Sequence, residues 1–231
     1  MTNPPDGAAS VGRVAIVTGG SRGVGRAIVR KLAAGGYAVV VDYAHDQGAA
    51  ESVVEKVLAE NGYAVAVRAD VTDELDVERL FAETDWIFGG IDVVVHTVGS
   101  QPAAISMAEV ALDEFDALSR INTRAMLIVN REAARQLRSG GAVVNVSASV
   151  ARSALATYGV YAATKVPVAV LTRTLAQQLL DREIRVNAVS LEVGRPCVPA
   201  TVADEVAHLL GDDGHGLTGL VIHIDEPKPL P

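Results

Sequence analysis

Tyr161 and Lys165 stand four residues apart in Tyr161-Ala-Ala-Thr-Lys165, inside a stretch of helical apolar spacing from Thr157 to Leu180. On a helix that spacing puts both side chains on one face. A lysine cation beside a phenol favours the phenolate and lowers the tyrosine pKa. A tyrosine tuned in that way gives a proton to, or takes one from, a carbonyl or alcohol oxygen. A solvated surface pair has the same spacing, so the pair alone does not define a site. A second chemical signal lies far upstream, in the glycine-rich Thr18-Gly-Gly-Ser-Arg-Gly-Val-Gly25. Its glycines let the backbone turn tightly and approach a ligand with no Cβ in the way. The unbroken apolar run Val14–Val17 precedes it, and Ile28, Val29 and Leu32 follow at helical spacing. The pattern is strand, turn, helix. The new helix presents unpaired N–H groups and the positive end of its dipole, a seat for a pyrophosphate.

The elements that must position these groups alternate along the chain. Strand runs are read at Val14–Val17, Ala38–Val41, Val65–Val71 with its turn, Ile91–Val95, Ala142–Val146, Ile184–Val189 and Leu220–Ile224. Helical patterns are read at Ala49–Leu58, Glu74–Phe88, Leu112–Leu137, Thr157–Leu180 and Val202–Leu210, beside the helix after the glycine turn. Gly140-Gly141 is taken to close the first of the two long helices. Most strand runs are apolar without alternation, which suits strands buried on both faces. The expected fold is therefore α/β: one Rossmann-type, doubly wound domain, with a seven-stranded, mainly parallel sheet and helices on both faces. It spans residues 13–226, between a flexible arm at 1–12 and a tail at 227–231. Ligands bind such sheets beyond the carboxyl ends of the strands. The polar residues there are Thr18 to Gly25, Asp42, Asp70, His96 to Gly99, Ser147 to Ser149, Ser190 and Glu192.

Composition narrows the function classes. The chain has 231 residues, 49% of them apolar, and no apolar run near 18, so no membrane-spanning segment is expected. Pro4, Pro5, Gly7 and Ser10 occur near the start without an apolar block, unlike a signal peptide, and a cytoplasmic location is expected. Cys197 is the only cysteine, so there is neither a disulfide framework nor a cysteine metal cluster. A net charge of −8 argues against a nucleic-acid partner, while leaving room for a basic pocket.

Taken in chain order, the glycine turn, Asp70-Val71, Ile121-Asn122, Tyr161-x-x-x-Lys165 and Arg185-Val-Asn-Ala188 resemble the short-chain dehydrogenases/reductases from about Val14 to Ile224. The resemblance implies a nicotinamide dinucleotide cofactor and a small or medium carbonyl or alcohol substrate. It implies that Tyr161 is the general acid or base. Lys165 would hold the nicotinamide ribose and tune Tyr161, and Asn122 would place a water that links Lys165 to solvent. Thr18, Gly19, Ser21, Arg22, Gly23, Val24 and Gly25 would cradle the pyrophosphate. Asp70 would bond the adenine, Val71 would line its pocket, and Gly99 keeps the glycine of the family segment after the fourth strand. Members commonly assemble as tetramers or dimers through the two long helices. Here both long helical stretches carry more apolar positions than one buried stripe requires, so a homo-oligomer is expected.

The departures from the family are as informative. Thirteen residues before the tyrosine the family has a serine that orients the substrate oxygen; here that position is Ala148, between Ser147 and Ser149. Either serine, Ser149 slightly favoured, takes that role, or the third catalytic member is missing. The usual Asn-x-Ala-Gly is His96-Thr-Val-Gly99, and His96 is read as a structural histidine. Leu191-Glu192 replaces the usual Pro-Gly, and Asp225-Glu226-Pro227 replaces Asp-Gly-Gly. Pro167 should kink its helix. Only Leu191–Thr201 bridges the sixth strand and the last helix, a shortened lid. Two cofactor signals disagree. Asp42 favours NAD(H) through the adenosine ribose, although the acid of NAD-type members aligns with Tyr43. Arg22 suits a 2′-phosphate and favours NADP(H), the preferred reading, with NAD(H) as the alternative. The retained Asn122, Tyr161 and Lys165 favour an oxidoreductase. Ala148, Leu191-Glu192 and the short lid favour a dinucleotide-binding sensor or scaffold with little catalysis.

Overall fold

The computed structural model describes residues 12–101, 103–149, 156–192 and 197–224. The expected arm (apart from Gly12), the tail and Asp225-Glu226-Pro227 lie outside them. Seven strands form one sheet in the order β3-β2-β1-β4-β5-β6-β7, and every pairing is parallel. They are β1 Val14–Thr18, β2 Ala38–Tyr43, β3 Tyr63–Arg68, β4 Ile91–His96, β5 Leu137–Ser149, β6 Arg185–Glu192 and β7 Val221–Ile224. The helices are α1 Gly23–Ala34, α2 Gln47–Ala59, α3 Glu74–Phe88, α4 Leu112–Ser119, α5 Ala125–Gln136, α6 Gly159–Gln178 and α7 Pro199–Leu210.

The lack of alternation in the strands has the expected cause. All five β1 residues and all six β2 residues are buried. Val14, Ile16, Val40, Val94 and Val143 pack with α3, α5 and α6 residues such as Phe81, Val129 and Ala176. Ala15, Val17, Val39, Val93 and Val95 face the other way, against α1, α2 and α7. The strand order reverses between β1 and its neighbours β2 and β4, and the crevice of a doubly wound sheet opens at that point. Side-chain caps start two of the helices: the Asp73 carboxylate accepts from the Leu75 and Asp76 amides at α3, and the Asp46 carboxylate from the Ala49 amide at α2. Arg185 reaches from β6 to the C-terminal end of α7, where its guanidinium donates to the carbonyls of Leu209, Leu210 and Gly214.

Three elements differ from expectation. The single helix read over Leu112–Leu137 is α4, then a π-helical segment over Arg120–Arg124, then α5. Side-chain periodicity does not reveal one inserted residue, and such an insertion is what a π turn adds. Gly140-Gly141 does not follow a helix. It lies inside β5, where the register to β4 slips between Ile91↔Leu137 and Val93↔Ala142, and Gly140 takes φ +78° there. Both β5 and β6 run farther than their apolar cores, to Ser149 and Glu192, because Ser147, Ala148 and Ser149 pair with Ser190, Leu191 and Glu192. Pro167 lies inside α6, which continues past it.

Candidate active site

The glycine turn brings β1 and α1 into close contact. A Cβ on Gly25 would sit 2.2 Å from the Gly19 carbonyl oxygen, so only glycine allows the helix to press against the end of the strand. Gly19 and Gly23 have φ +66° and +54°, which glycine adopts without strain. Arg22 is the N-cap of α1, with no side-chain cap, so the first helical amides stay free of side-chain partners. Thr18, buried at the end of β1, ties the turn to β4. Its Oγ1 accepts from the Thr97 amide at 3.2 Å and lies 2.9 Å from His96 Nδ1, and its carbonyl accepts from Thr97 Oγ1 at 2.6 Å. His96 is buried at the end of β4. Burial, with the Lys165 cation nearby, pushes its pKa down to about 3, so it stays neutral.

A cleft of about 870 Å³ runs along this edge, lined by the glycine turn, Asp42 to Asp46, Asp70 to Thr72 and Thr97 to Gly99. The residues fit a dinucleotide: the uncapped start of α1 faces a space that positive-φ glycines leave open. Ser21, Arg22, Val24, Tyr43, Asp70 and Val71 all line it. Asp70 Oδ1 is already occupied by the Thr72 amide and hydroxyl. Asp42 lines the same cleft. It is 2% exposed, and its Oδ2 accepts from the Gly19 amide at 3.1 Å. Its carboxyl lies under the glycine turn, lining the cleft with one oxygen taken by the Gly19 amide. Burial pushes its carboxyl up to about 7.

Beyond the cleft, α6 and the π segment bring the second group together. Lys165 is buried, and a Cβ on Gly99 would lie 2.6 Å from its Nζ and 3.1 Å from Asn122 Oδ1. The ammonium therefore lies over Gly99, beside Asn122. Asn122 is held on both sides: Oδ1 accepts from the Ser100 amide at 2.8 Å, and Nδ2 donates to the Ser100 carbonyl at 2.9 Å and to Thr164 Oγ1 at 3.0 Å. Thr164 Oγ1 in turn donates to the Tyr161 carbonyl at 2.8 Å. Thr164 and Ser100 escaped the sequence reading; the one signal was a hydroxyl beside Lys165 on the same helix. The expected tuning of Tyr161 is reversed. Burial raises its phenol to about 12 and lowers Lys165 to about 8. Removing water penalises phenolate and ammonium alike, and burial is the cause of both shifts.

Ala148 packs against the Tyr161 ring, together with Tyr158 and Ala162. The position with no hydroxyl is thus the one in contact with the candidate acid. Ser147 is buried, and Ser149 ends β5 with its side chain outside the described residues. Among the described residues no group of His, Cys, Asp and Glu suits a metal ion, and no helix is long and apolar enough to cross a membrane.

The model of the short chain dehydrogenase family matches residues 13–195. An uncharacterized oxidoreductase of Methylorubrum extorquens is 33% identical, over 92% of this chain and 96% of its own. Versicolorin reductase 1 of Aspergillus parasiticus is 39% identical, over 78% and 68%. The crystal structure of a short-chain dehydrogenase from Burkholderia cenocepacia in complex with NADP superposes with a TM-score of 0.86 at 31% identity, covering 92% of this chain and 96% of that one.

The contact over Gly99 is a direct test of the site. A methyl group there displaces the Lys165 ammonium, so Gly99→Ala is expected to lower kcat about 10²-fold with the circular dichroism spectrum unchanged. Unaltered turnover would show that the ammonium is not needed where the structure places it.

Proposed function

Since this chain belongs to the short-chain dehydrogenase family of oxidoreductases, we propose that it moves a hydride between NADP(H) and a small or medium carbonyl or alcohol substrate. One observation carries this: Lys165 and Asn122 meet over Gly99, which lines the cleft built by an uncapped helix start, and Thr164 links Asn122 to the backbone of Tyr161. The bound nicotinamide supplies or accepts the hydride. Tyr161 gives its phenolic proton to the carbonyl oxygen in reduction and takes it back in oxidation. A phenol raised to about 12 is protonated at neutral pH, the state reduction requires. Lys165, one helical turn along α6 from Tyr161 and lowered to about 8, gives up its proton more readily than a free lysine and serves as the proton reservoir for the acid. Asn122 and Thr164 tie the backbones of Ser100 and Tyr161 into one hydrogen-bonded unit next to Lys165. With Ala148 against the phenol, Ser147 or Ser149 supplies the remaining donor to the substrate oxygen. The reductase name of the Aspergillus relative supports the direction of reduction.

A dinucleotide-binding sensor is the second reading, and the contact of Ala148 with Tyr161 is what favours it. NADPH consumption on a diverse carbonyl panel separates the two. Tyr161→Phe is expected to lower turnover about 10²–10⁴-fold while dinucleotide still binds. Normal turnover in that variant would remove Tyr161 from the acid role, and binding without any turnover in the parent would select the sensor.

The preference for NADP(H) rests on Arg22, exposed at the mouth of the glycine turn. Arg22→Ala is expected to weaken NADPH about 10- to 100-fold and to leave NADH unchanged. An unaltered NADPH/NADH ratio would overturn the assignment.

The partners are a small-molecule substrate and further copies of this chain, in the cytoplasm, with neither nucleic acid nor membrane. Leu127 on α5 and Val166 and Val170 on α6 are at least half exposed, an apolar face suited to self-association. Light scattering is expected to give the mass of two or four chains, reduced by Val166→Glu. A monomeric parent would exclude the assembly.

A further inference from the structure

Asp42 is the one buried acid in the candidate cofactor cleft, and the reaction proposed above does not use it. It is 2% exposed, with one oxygen on the Gly19 amide, and its backbone carbonyl accepts from the Gly20 amide at 3.0 Å. Both groups of Asp42 therefore hold the first two residues of the glycine turn. Its Oδ1 is buried with no hydrogen-bond partner among the described residues. A buried carboxylate with one amide hydrogen bond, and besides it only the Ala69 amide, which donates to the Tyr43 carbonyl at 2.9 Å, is poorly compensated, whereas a buried carboxylic acid carries no charge to compensate. The charged neighbours add to the imbalance. Asp70, from the loop after β3, and Asp76, from α3, are anions near it. Arg79 on α3 feels Asp42 but is hydrogen-bonded to Asp76 and paired with Glu83. Arg68 ends β3, where it donates to the Ala44 carbonyl. His45 and Asp46 follow β2 along the cleft, and Arg22 faces it from the glycine turn.

We propose that Asp42 is a proton-carrying latch beneath the glycine turn: the chain binds its dinucleotide with Asp42 neutral, taking up a proton from solvent, and that neutrality lets Arg22 hold a 2′-phosphate beside an acid.

The proposal rests on the dinucleotide reading above. A bound diphosphate, and still more a 2′-phosphate, adds negative charge to a cleft already lined by Asp70 and Asp46. That stabilises the protonated acid further. Neutral Asp42 keeps a carbonyl oxygen for the Gly19 amide, so the turn holds its shape in the bound state. Asp42 is a positioning residue, acting through Gly19. Its carboxyl, pushed by burial to about 7 and opposed by the Gly19 and Ala69 amides, sits where binding can shift it at working pH. The sign follows from linkage: a group protonated on binding makes affinity fall as pH rises through its free-state pKa. The two opposed cofactor signals are thereby reconciled, because an acid without charge does not repel the phosphate.

The test is calorimetric titration of the full chain with NADPH and with NADH at pH 8, in two buffers of different ionisation enthalpy, on wild type and Asp42→Asn. Asparagine keeps an acceptor for the Gly19 amide and cannot titrate. Wild type is expected to take up about one proton per NADPH and less with NADH. Its NADPH affinity should fall about tenfold per pH unit above 7, beyond the change in the variant, which shares the ligand's own phosphate titration. Asp42→Asn should take up none. The wild-type proton count stands by itself if the variant does not fold. NADPH binding without proton uptake, or uptake that persists in Asp42→Asn, would overturn the latch and leave the dinucleotide reading intact. Binding of neither cofactor would overturn both.

Discussion

A Cβ on Gly25 would sit 2.2 Å from the Gly19 carbonyl oxygen, so α1 can press against the end of β1 only because that side chain is absent. Much else in the site depends on this approach. It sets the start of α1 at the carboxyl edge of the sheet, and Arg22 leaves that start without a side-chain cap. It also forces Gly19 into a positive-φ turn, whose amide then needs a partner below it. Asp42 is that partner, at the cost of burying a carboxyl group. Thr18 secures the other side through His96 and Thr97. A flexible turn is thus held between β2 and β4 by buried polar contacts, the arrangement that keeps a glycine-rich segment in one shape.

Burial also governs the chemistry of the second group. Tyr161 and Lys165 are both pushed toward their neutral forms, because burial strips both of hydration. The ammonium has no carboxylate partner among the described residues, and it lies beside the Asn122 amide oxygen over a glycine. The π segment makes this possible. Its extra residue rotates Asn122 inward, where both ends of the amide bond Ser100 and one also meets Thr164. A π turn inside an α-helix is tolerated where its side chains find partners, and here they join the β4 edge to α6.

Ala148 is in contact with Tyr161 at the carboxyl edge of β5. The pairing of β5 with β6 through Ser149 and Glu192 extends the sheet past its apolar core and carries Ser147 and Ser190 side by side toward the same edge. Hydroxyl groups are plentiful at that edge, although the family position itself has none.

The order of elements, the parallel sheet and the family were legible in the sequence, since they follow from patterns local to a few residues. Unbroken apolar runs such as Val14–Val17 mean strands covered on both faces. Glycines after such a run mean a turn too close for side chains. Tyr161 and Lys165 share a helix face by spacing alone. The tertiary structure decided what those patterns do not encode. A π turn inserts one residue without disturbing the apolar rhythm of Leu112–Leu137, and Gly140-Gly141 reads alike after a helix or inside a bulged strand. Asp42 had the type and position of a ribose acceptor, and only the packed turn shows that one of its oxygens is taken by the Gly19 amide. The tyrosine–lysine spacing promised a lowered phenol pKa, whereas the fold raised it, because the balance between charge pairing and lost hydration depends on how deeply both groups are buried. Spacing along a chain records direction and neighbours; depth, and the electrostatics that depend on it, exist only once the other elements have packed around the site.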